Sequence, residues 1–235
     1  MNKKILIIGY GAIAIRHYKN IKKIIPKSEI VLLRKSKKKD NKIKSFNNLK
    51  DAINFKPIIT LICSPASTHL KYAKIFGNLN SNIFIEKPIS NNLKQTHNFV
   101  NYIKKKKITI LTGYNLRFNN SLNYFKNLIS KKVLGKIMSV NSEVGQYLPS
   151  WRKKNYKDSV SASRKLGGGV INELSHDVDL LFYLFKDIKF HYGLNYKISD
   201  LKIDTEDTSH SIFTSNFNGK KFFIFLHMDF YRHDF

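Results

Sequence analysis

Apolar residues in the first half of the chain fall into short unbroken runs, and between the runs they recur at helical spacing. The runs are Ile5–Ile8, Ile30–Leu33, Ile58–Cys63, Ile83–Ile85 and Ile108–Leu111. Consecutive apolar, mostly β-branched residues closed by a breaker predict strands buried on both faces. The helical period covers Ile13–Ile24, which stops before Pro26, then Leu49–Asn54, Ser67–Phe76 and Leu93–Lys105. Strand and helix in strict alternation predict a doubly wound parallel sheet. Gly113 makes a natural boundary.

Past Gly113 the pattern changes. Leu122–Ile129 reads as a helix, Ile137–Tyr147 as a long strand and Ile171–Phe185 as the longest helix of this half. Ile188–Ile198, Ser209–Phe217 and Phe222–Phe230 read as strands, the last two flanking Asn218-Gly219, a strong hairpin pair. The expected organisation is a parallel α/β domain over 1–113 and an α+β domain over 114–235 with an open, mostly antiparallel sheet. Phe222, Ile224, Leu226, Met228 and Phe230 share one strand face and need cover. With the sequence ending at Phe235, the second domain is expected to be incomplete, with a long apolar edge open to association.

Composition narrows the picture. A hydrophobic fraction of 42% over 235 residues supports real cores. No apolar run approaches the ~20 residues of a membrane span. Cys63 is the only cysteine and falls in an expected buried strand, so disulfides and cysteine metal cages are excluded and a reducing cytoplasm fits. A net charge of +26 raises nucleic-acid binding. The lysines are spread along the chain, however, and the runs Lys37–Lys39 and Lys104–Lys107 join no aromatic stacking motif, zinc finger or helix-turn-helix. Nucleic acid stays a distant alternative, and a basic surface that draws in anionic substrates is the milder one. The stretch from Met1 to Ala14 has the basic start, apolar run and Ala-x-Ala of an export signal, but two glycines and a tyrosine interrupt it.

Two stretches carry candidate chemistry. Gly9-Tyr10-Gly11-Ala12-Ile13-Ala14 is G-x-G-x-x-A set between a strand and a helix. Gly9 allows the tight turn, Gly11 lets the backbone approach a pyrophosphate and Ala14 lets the helix pack close. Ile83-Phe84-Ile85-Glu86-Lys87-Pro88 is an inner strand that ends in a charged pair and a proline. Ligands of open α/β sheets sit at the carboxyl ends of the strands, which places Lys87 at the mouth of a crevice. The plainer alternative for Lys87 is a solvated Lys-Pro turn.

These two blocks, together with Ser64-Pro65-Ala66-Ser67-Thr68-His69, Gly113-Tyr114-Asn115-Leu116-Arg117-Phe118 and Gly167-Gly168-Gly169-Val170-Ile171-Asn172-Glu173-Leu174-Ser175-His176, occur in one order. In that order the chain resembles the Gfo/Idh/MocA family of NAD(P)-dependent oxidoreductases over nearly its whole length. Tyr147-Leu148-Pro149-Ser150-Trp151-Arg152 and Ser161–Leu166 look like members acting on sugars or nucleotide sugars. The resemblance implies NAD or NADP as cofactor, a small sugar or nucleotide-sugar substrate, homo-oligomers and about a third more chain. It gives catalytic roles to Lys87 and His176, with Glu173 where many members have aspartate. The spacing from Glu173 to His176 is three residues rather than four, and either spacing keeps both on one helix face. A surface position is the alternative for His176.

The same resemblance assigns the cofactor to Gly9, Tyr10, Gly11, Ala12, Ile13, Ala14, Ser64, Pro65, His69, Glu86, Lys87 and Pro88. Arg34 and Ser36 follow the second strand, where an acidic residue would bind a ribose 2′-hydroxyl, and point to NADP. Asn115, Arg117, Trp151, Arg152 and Arg164 are the substrate candidates. Lys165 is a further clamp for a carboxylate or phosphate, and Tyr147 and Tyr156 are stacking or core aromatics. Glu173, His176, Asp177 and Asp179 resemble half of a di-iron set, but no second copy is visible, so no metal is expected. The competing functions are a small-carbonyl or imine reductase, a silent truncated paralogue that binds nucleotide, and a basic nucleic-acid-binding protein.

Overall fold

The computed structural model describes residues 3–34, 43–151, 155–217 and 219–233. The chain divides into two compact units, Met1–Gly113 and Tyr114–Phe235.

The first unit runs β1 (Lys4–Ile8), α1 (Ala12–Ile24), β2 (Glu29–Leu33), β3 (Ser45–Phe46), α2 (Leu49–Asn54), β4 (Ile59–Ile62), α3 (His69–Asn78), β5 (Asn82–Ile85), α4 (Leu93–Ile103) and β6 (Ile110–Thr112). Among the described residues the strands form a parallel sheet in the order β3-β2-β1-β4-β5-β6. The sequence period missed β3, which is only Ser45–Phe46 and too short to show one. The last strand also begins at Ile110, later than its apolar run.

β1 shows why the sheet is buried on both faces. Leu6 and Ile8 pack with Ile62, Ile83, Phe76 and Phe99, while Ile5 and Ile7 pack on the opposite face with Ala14, Leu32 and Leu61. Strand order reverses at β1, since β2 lies on one side of it and β4 on the other. That reversal opens a crevice at the carboxyl ends of β1 and β4.

The second unit runs α5 (Asn120–Ser130), β7 (Ser139–Gly145), α6 (Val170–Glu173), α7 (Ser175–Leu184), β8 (Lys189–Tyr196), β9 (Thr208–Phe217) and β10 (Lys220–Asp229). Its described strands form a mixed sheet in the order β7-β10-β9-β8. β10 pairs parallel with β7 and antiparallel with β9, and β8 pairs antiparallel with β9. Phe217 sits opposite Lys220 across the hairpin, and Gly219 takes φ 76°; Asn218 lies outside the described residues.

Two expectations need correction here. The long helix over Ile171–Phe185 is broken at Leu174, which leaves helical geometry at φ −95°, ψ 20°. Leu174 is buried in the core, and a tight bond from Asp177 N to the Leu174 carbonyl replaces the helical one. Apolar spacing cannot report such a break, because both pieces keep their buried faces. The second correction concerns β10, which lies inside the sheet and is not an exposed edge. The face of Phe222, Ile224, Leu226, Met228 and Phe230 is covered within the chain, with exposures of 2% or less, against Val170, Leu174, Leu181 and Phe185. The open side is the opposite one, where Phe223 and Phe225 of β10 and Tyr192, Leu194 and Tyr196 of β8 are exposed. No helix among the described residues is long and apolar enough to cross a membrane.

Candidate active site

β1 feeds directly into the glycine turn. Gly9 sits at φ +113°, and a Cβ there would lie 2.6 Å from the Cys63 carbonyl oxygen, so only glycine permits β1 and the end of β4 to close so tightly. Gly11 caps α1 with extended backbone and no side-chain bond, and the first turn holds no acidic residue. Nothing lies within 4 Å of where a Gly11 Cβ would stand. An uncapped N-terminus of a 13-residue helix with open room beside it suits a phosphate, since its N–H groups and the positive dipole end face the same space. Ala14 is fully buried beneath the turn. Arg34 stands just past β2 with its guanidinium 4.6 Å above the Tyr10 ring, and its Nε donates to Ser45 Oγ at 3.1 Å. A cation is therefore fixed beside the glycine turn, at the strand end where a dinucleotide's ribose is read. Ser36 lies outside the described residues.

The corner after β5 is braced on several sides. Glu86 Oε1 lies 2.6 Å from His17 Nε2 of α1, whose ring meets Phe84 edge-on at 5.0 Å. Glu86 Oε2 accepts from the Lys87 backbone N–H at 3.3 Å. The Lys87–Pro88 peptide is cis. His69 is 1% exposed, with its ring nitrogens facing the Ser64 carbonyl at 2.6 Å and the Pro88 carbonyl at 2.8 Å. Burial pushes His69 below the ordinary histidine range, although both carbonyls oppose the shift. His69 is therefore a strut between the β4 turn and Pro88 rather than a lining group. Ser64 Oγ contacts Thr68 Oγ1 at 2.7 Å, and Thr68 donates to the Pro65 carbonyl at 2.8 Å, so this turn starts α3. Burial pushes the Cys63 thiol far up, which removes it from thiolate chemistry.

In the second unit Tyr114, Arg117, Asn172, Ser175, Asp179 and Phe182 line an open cavity of about 400 Å³. His176 meets the Tyr114 ring edge-on at 5.8 Å. Burial pushes the Tyr114 hydroxyl above its usual range. Arg117 grips Asp179 with Nε and Nη2, at 2.8 and 2.7 Å, which fixes its guanidinium at the cavity wall. Asn115 is exposed at the start of the turn Asn115–Phe118. Glu173 closes α6 and His176 belongs to α7, so the two do not share one helix face as the spacing suggests.

The glycine run ahead of α6 is there for space. A Cβ on Gly168 would come within 2.2 Å of the Val160 carbonyl, and one on Gly169 within 2.2 Å of Glu206 Oε1. Burial pushes Glu206 above the ordinary carboxylate range, against the backbone bonds it accepts, one of them from Ile171.

Other candidates make contacts within the second unit. Trp151 meets Phe230 edge-on at 5.3 Å in the core. Tyr147 stacks on His233 at 3.9 Å, and the Tyr156 hydroxyl accepts from the Lys202 N–H at 3.1 Å. Arg164 is tied to Asp204, its N–H to Oδ1 at 2.6 Å and its Nε to the carbonyl at 3.3 Å. Arg152 lies outside the described residues. Among the described residues no group of three or more His, Cys, Asp or Glu side chains gathers as a metal centre. Sequence reasoning passed over His17 and weighed Asp179 only as a metal ligand, because the contacts that give them meaning join positions 69 and 62 residues apart.

Two family models match. One, described as oxidoreductase family, NAD-binding Rossmann fold, matches residues 3–114, and the GFO/IDH/MocA C-terminal domain matches residues 122–221. The uncharacterized oxidoreductase YrbE of Bacillus subtilis is 27% identical over 201 residues, 78% of this chain and 54% of that protein. Myo-inositol 2-dehydrogenase of Thermotoga maritima is 25% identical over 194 residues, 77% of this chain and 54% of that protein. The chain thus spans about half the length of the curated relatives it matches. Among solved structures, the WlbA dehydrogenase of Bordetella pertussis, in complex with NADH and UDP-GlcNAcA, superposes with a TM-score of 0.85 at 18% identity, covering 99% of this chain and 72% of that one. The scyllo-inositol dehydrogenase of Lactobacillus casei, with bound NAD(H) and scyllo-inositol, gives 0.75 at 17% identity, covering 100% and 71%. At such identities the structures share the fold.

Proposed function

The chain belongs to the Gfo/Idh/MocA family of oxidoreductases, and from that premise we propose that it moves hydride between NAD(P) and a hydroxyl-bearing carbon of a cyclic polyol, sugar or nucleotide sugar. The relatives named for inositols and the neighbour bound to a nucleotide sugar support that substrate class. When bound, the nicotinamide supplies the two-electron acceptor or donor.

The rest falls to the chain's own residues. Gly9, Gly11 and the first turn of α1 hold the pyrophosphate, with Tyr10, Ala12, Ile13 and Ala14 completing the turn. Arg34 faces the ribose, where a 2′-phosphate satisfies its charge better than a hydroxyl. Lys87 takes the hydroxyl proton at Nζ on oxidation and returns it on reduction. Glu86, locked by His17, and Pro88, tied through His69, position that lysine. In the second unit His176 is the further acid–base group that the resemblance implies, and Asn172 and Tyr114 offer a substrate polar contacts. The lone, partly buried Cys63 thiol supports a reducing cytoplasm. The exposed aromatic side of the second sheet supports self-association.

One observation carries the reading: the braced Glu86–Lys87–Pro88 corner stands at the carboxyl edge of the same sheet as an uncapped glycine turn. Fluorescence titration with reduced cofactor, followed by an absorbance screen of inositols, sugars and nucleotide sugars, tests it. Cofactor binding with turnover of one class is expected. Binding with no turnover across all three classes would remove the oxidoreductase reading and keep the nucleotide site.

A further inference from the structure

The outer face of the second unit's sheet carries a side-chain cluster that the proposed reaction does not use. His210 of β9 and His227 of β10 are direct partners across the antiparallel pair, which puts both rings on one face. His227 Nδ1 lies 3.1 Å from His210 Nε2, while the ring centroids are only 4.2 Å apart and tilted by 35°. Two imidazoles bonded end to end would hold their centroids about 5 Å apart at ordinary hydrogen-bond length. These rings are therefore not in line but partly overlap side by side, with their facing nitrogens 3.1 Å apart.

The other nitrogen of His227 is fixed. Nε2 lies 2.9 Å from Asp229 Oδ2, and that carboxylate is fully buried. Asp229 is itself held, since its Oδ1 accepts from the Arg232 N–H at 2.7 Å and the Tyr231 N–H at 3.2 Å. Donation of Nε2–H to Asp229 leaves the lone pair on Nδ1, facing His210. A neutral imidazole oriented by a carboxylate behind it is the arrangement a metal-binding histidine adopts.

Spacing and charge agree with that. Two nitrogens at about 2.0–2.1 Å from one ion stand about 2.9–3.4 Å apart for right-angled to tetrahedral geometry, and the observed 3.1 Å falls inside that range. Glu143 of β7 faces His227 from the other side in register, and Arg232 bridges Glu143 and Asp229 at 3.3 Å each. Two carboxylates against one guanidinium leave surplus negative charge here, on a chain whose net charge is +26.

We propose that His210 and His227 form a surface site for a borderline divalent transition-metal ion such as Zn²⁺, Ni²⁺ or Cu²⁺, with Asp229 holding His227 in the binding tautomer. The protein supplies two nitrogens and water fills the remaining positions, so the ion is exchangeable rather than structural. His210 shifts its proton to Nδ1 to present a second lone pair, and both rings bind neutral.

The test uses the full chain without an affinity tag. Ni²⁺ is titrated by calorimetry, and Cu²⁺ is followed by electron paramagnetic resonance. One equivalent per chain is expected, with nitrogen splitting from two imidazoles. His210→Gln, at an exposed position, and His227→Gln should each weaken binding by about tenfold or more. His97→Gln, on the exposed face of α4, and Phe223→Lys, on the open sheet face, should leave affinity unchanged. The second of these separates metal binding from self-association. Unaltered affinity in His210→Gln, or no binding by the parent chain up to about 1 mM ion, would show that the pair is only hydrogen-bonded and overturn the site.

Discussion

At the scale of single residues, the first unit shows a charge held ready by its neighbours. Glu86 is clamped by His17, and Lys87 follows on a backbone tied to Glu86 and, through Pro88, to His69. Lys87→Met should cut turnover to below about a tenth of the parent rate and leave cofactor affinity within a few-fold, since the glycine turn is the site proposed for the phosphate. Steady-state rates alongside cofactor titration check this. Arg34→Ala should cost NADP affinity about tenfold and NAD affinity little, because only the 2′-phosphate draws on the guanidinium. An equal loss for both dinucleotides would mean that Arg34 acts by bracing Tyr10.

Asp207 gives a residue-scale prediction about pH. Burial works against its charge, yet bonds from Ser199 and the Ile198 N–H, together with the Lys197 ammonium, hold the carboxyl below its usual range. A depressed carboxyl stabilises the fold above its unfolded pKa of about 3.9, and that stability disappears as pH falls through the lower folded value. Asp207→Asn should therefore melt below the parent near neutrality, with a gap that closes below about pH 4. A gap that stays constant across pH would show that the carboxylate's charge contributes nothing.

At the scale of elements, the two glycine runs look alike in sequence and differ in the room around them. A Cβ on Gly11 would meet nothing within 4 Å, whereas one on Gly168 would lie 2.2 Å from the Val160 carbonyl oxygen. Gly11→Ala should leave the melting temperature nearly unchanged and weaken dinucleotide binding by about tenfold, since the methyl fills the space proposed for the pyrophosphate. Gly168→Ala should do the reverse, lowering stability by more than about 1 kcal/mol through overpacking that no side chain can relieve. Thermal melts and cofactor titration on both variants separate the two roles. The broken helix belongs at this scale as well. Ending α6 at Glu173 and starting α7 at Ser175 turns His176 toward Tyr114 while Leu174 and Leu181 stay in the core.

At the scale of the whole molecule, the second unit's sheet is closed on one side and open on the other. The inner residues of β10 are covered by the chain's own helices, and truncations there such as Leu226→Ala should cost about 2–5 kcal/mol. The outer side leaves Phe223 54% and Tyr192 57% exposed, an apolar surface that a second copy can cover. Light scattering should therefore report a species larger than one chain. Phe223→Lys should shift it toward monomer, with any fall in melting temperature vanishing at dilutions where the parent is itself dissociated. A monomeric parent chain would refute association through this face.

Much was legible in the linear order. β1, β2, β4 and β5 are apolar runs buried on both faces, so composition alone marks them, and a phosphate turn needs glycines at set places along a single turn. The doubly wound sheet and the glycine loop were therefore visible locally. What the sequence could not show depends on registers and distant contacts. The His17–Glu86 pair, the strut at His69 and the grip of Arg117 on Asp179 each join residues that become neighbours only when separate elements pack. The period of two along β10 told which residues share a face but not which face would be covered, since that depends on where α6 and α7 settle. Only the pairing of β9 with β10 sets His210 against His227, because a sheet's register is a relation between strands and not a property of either one.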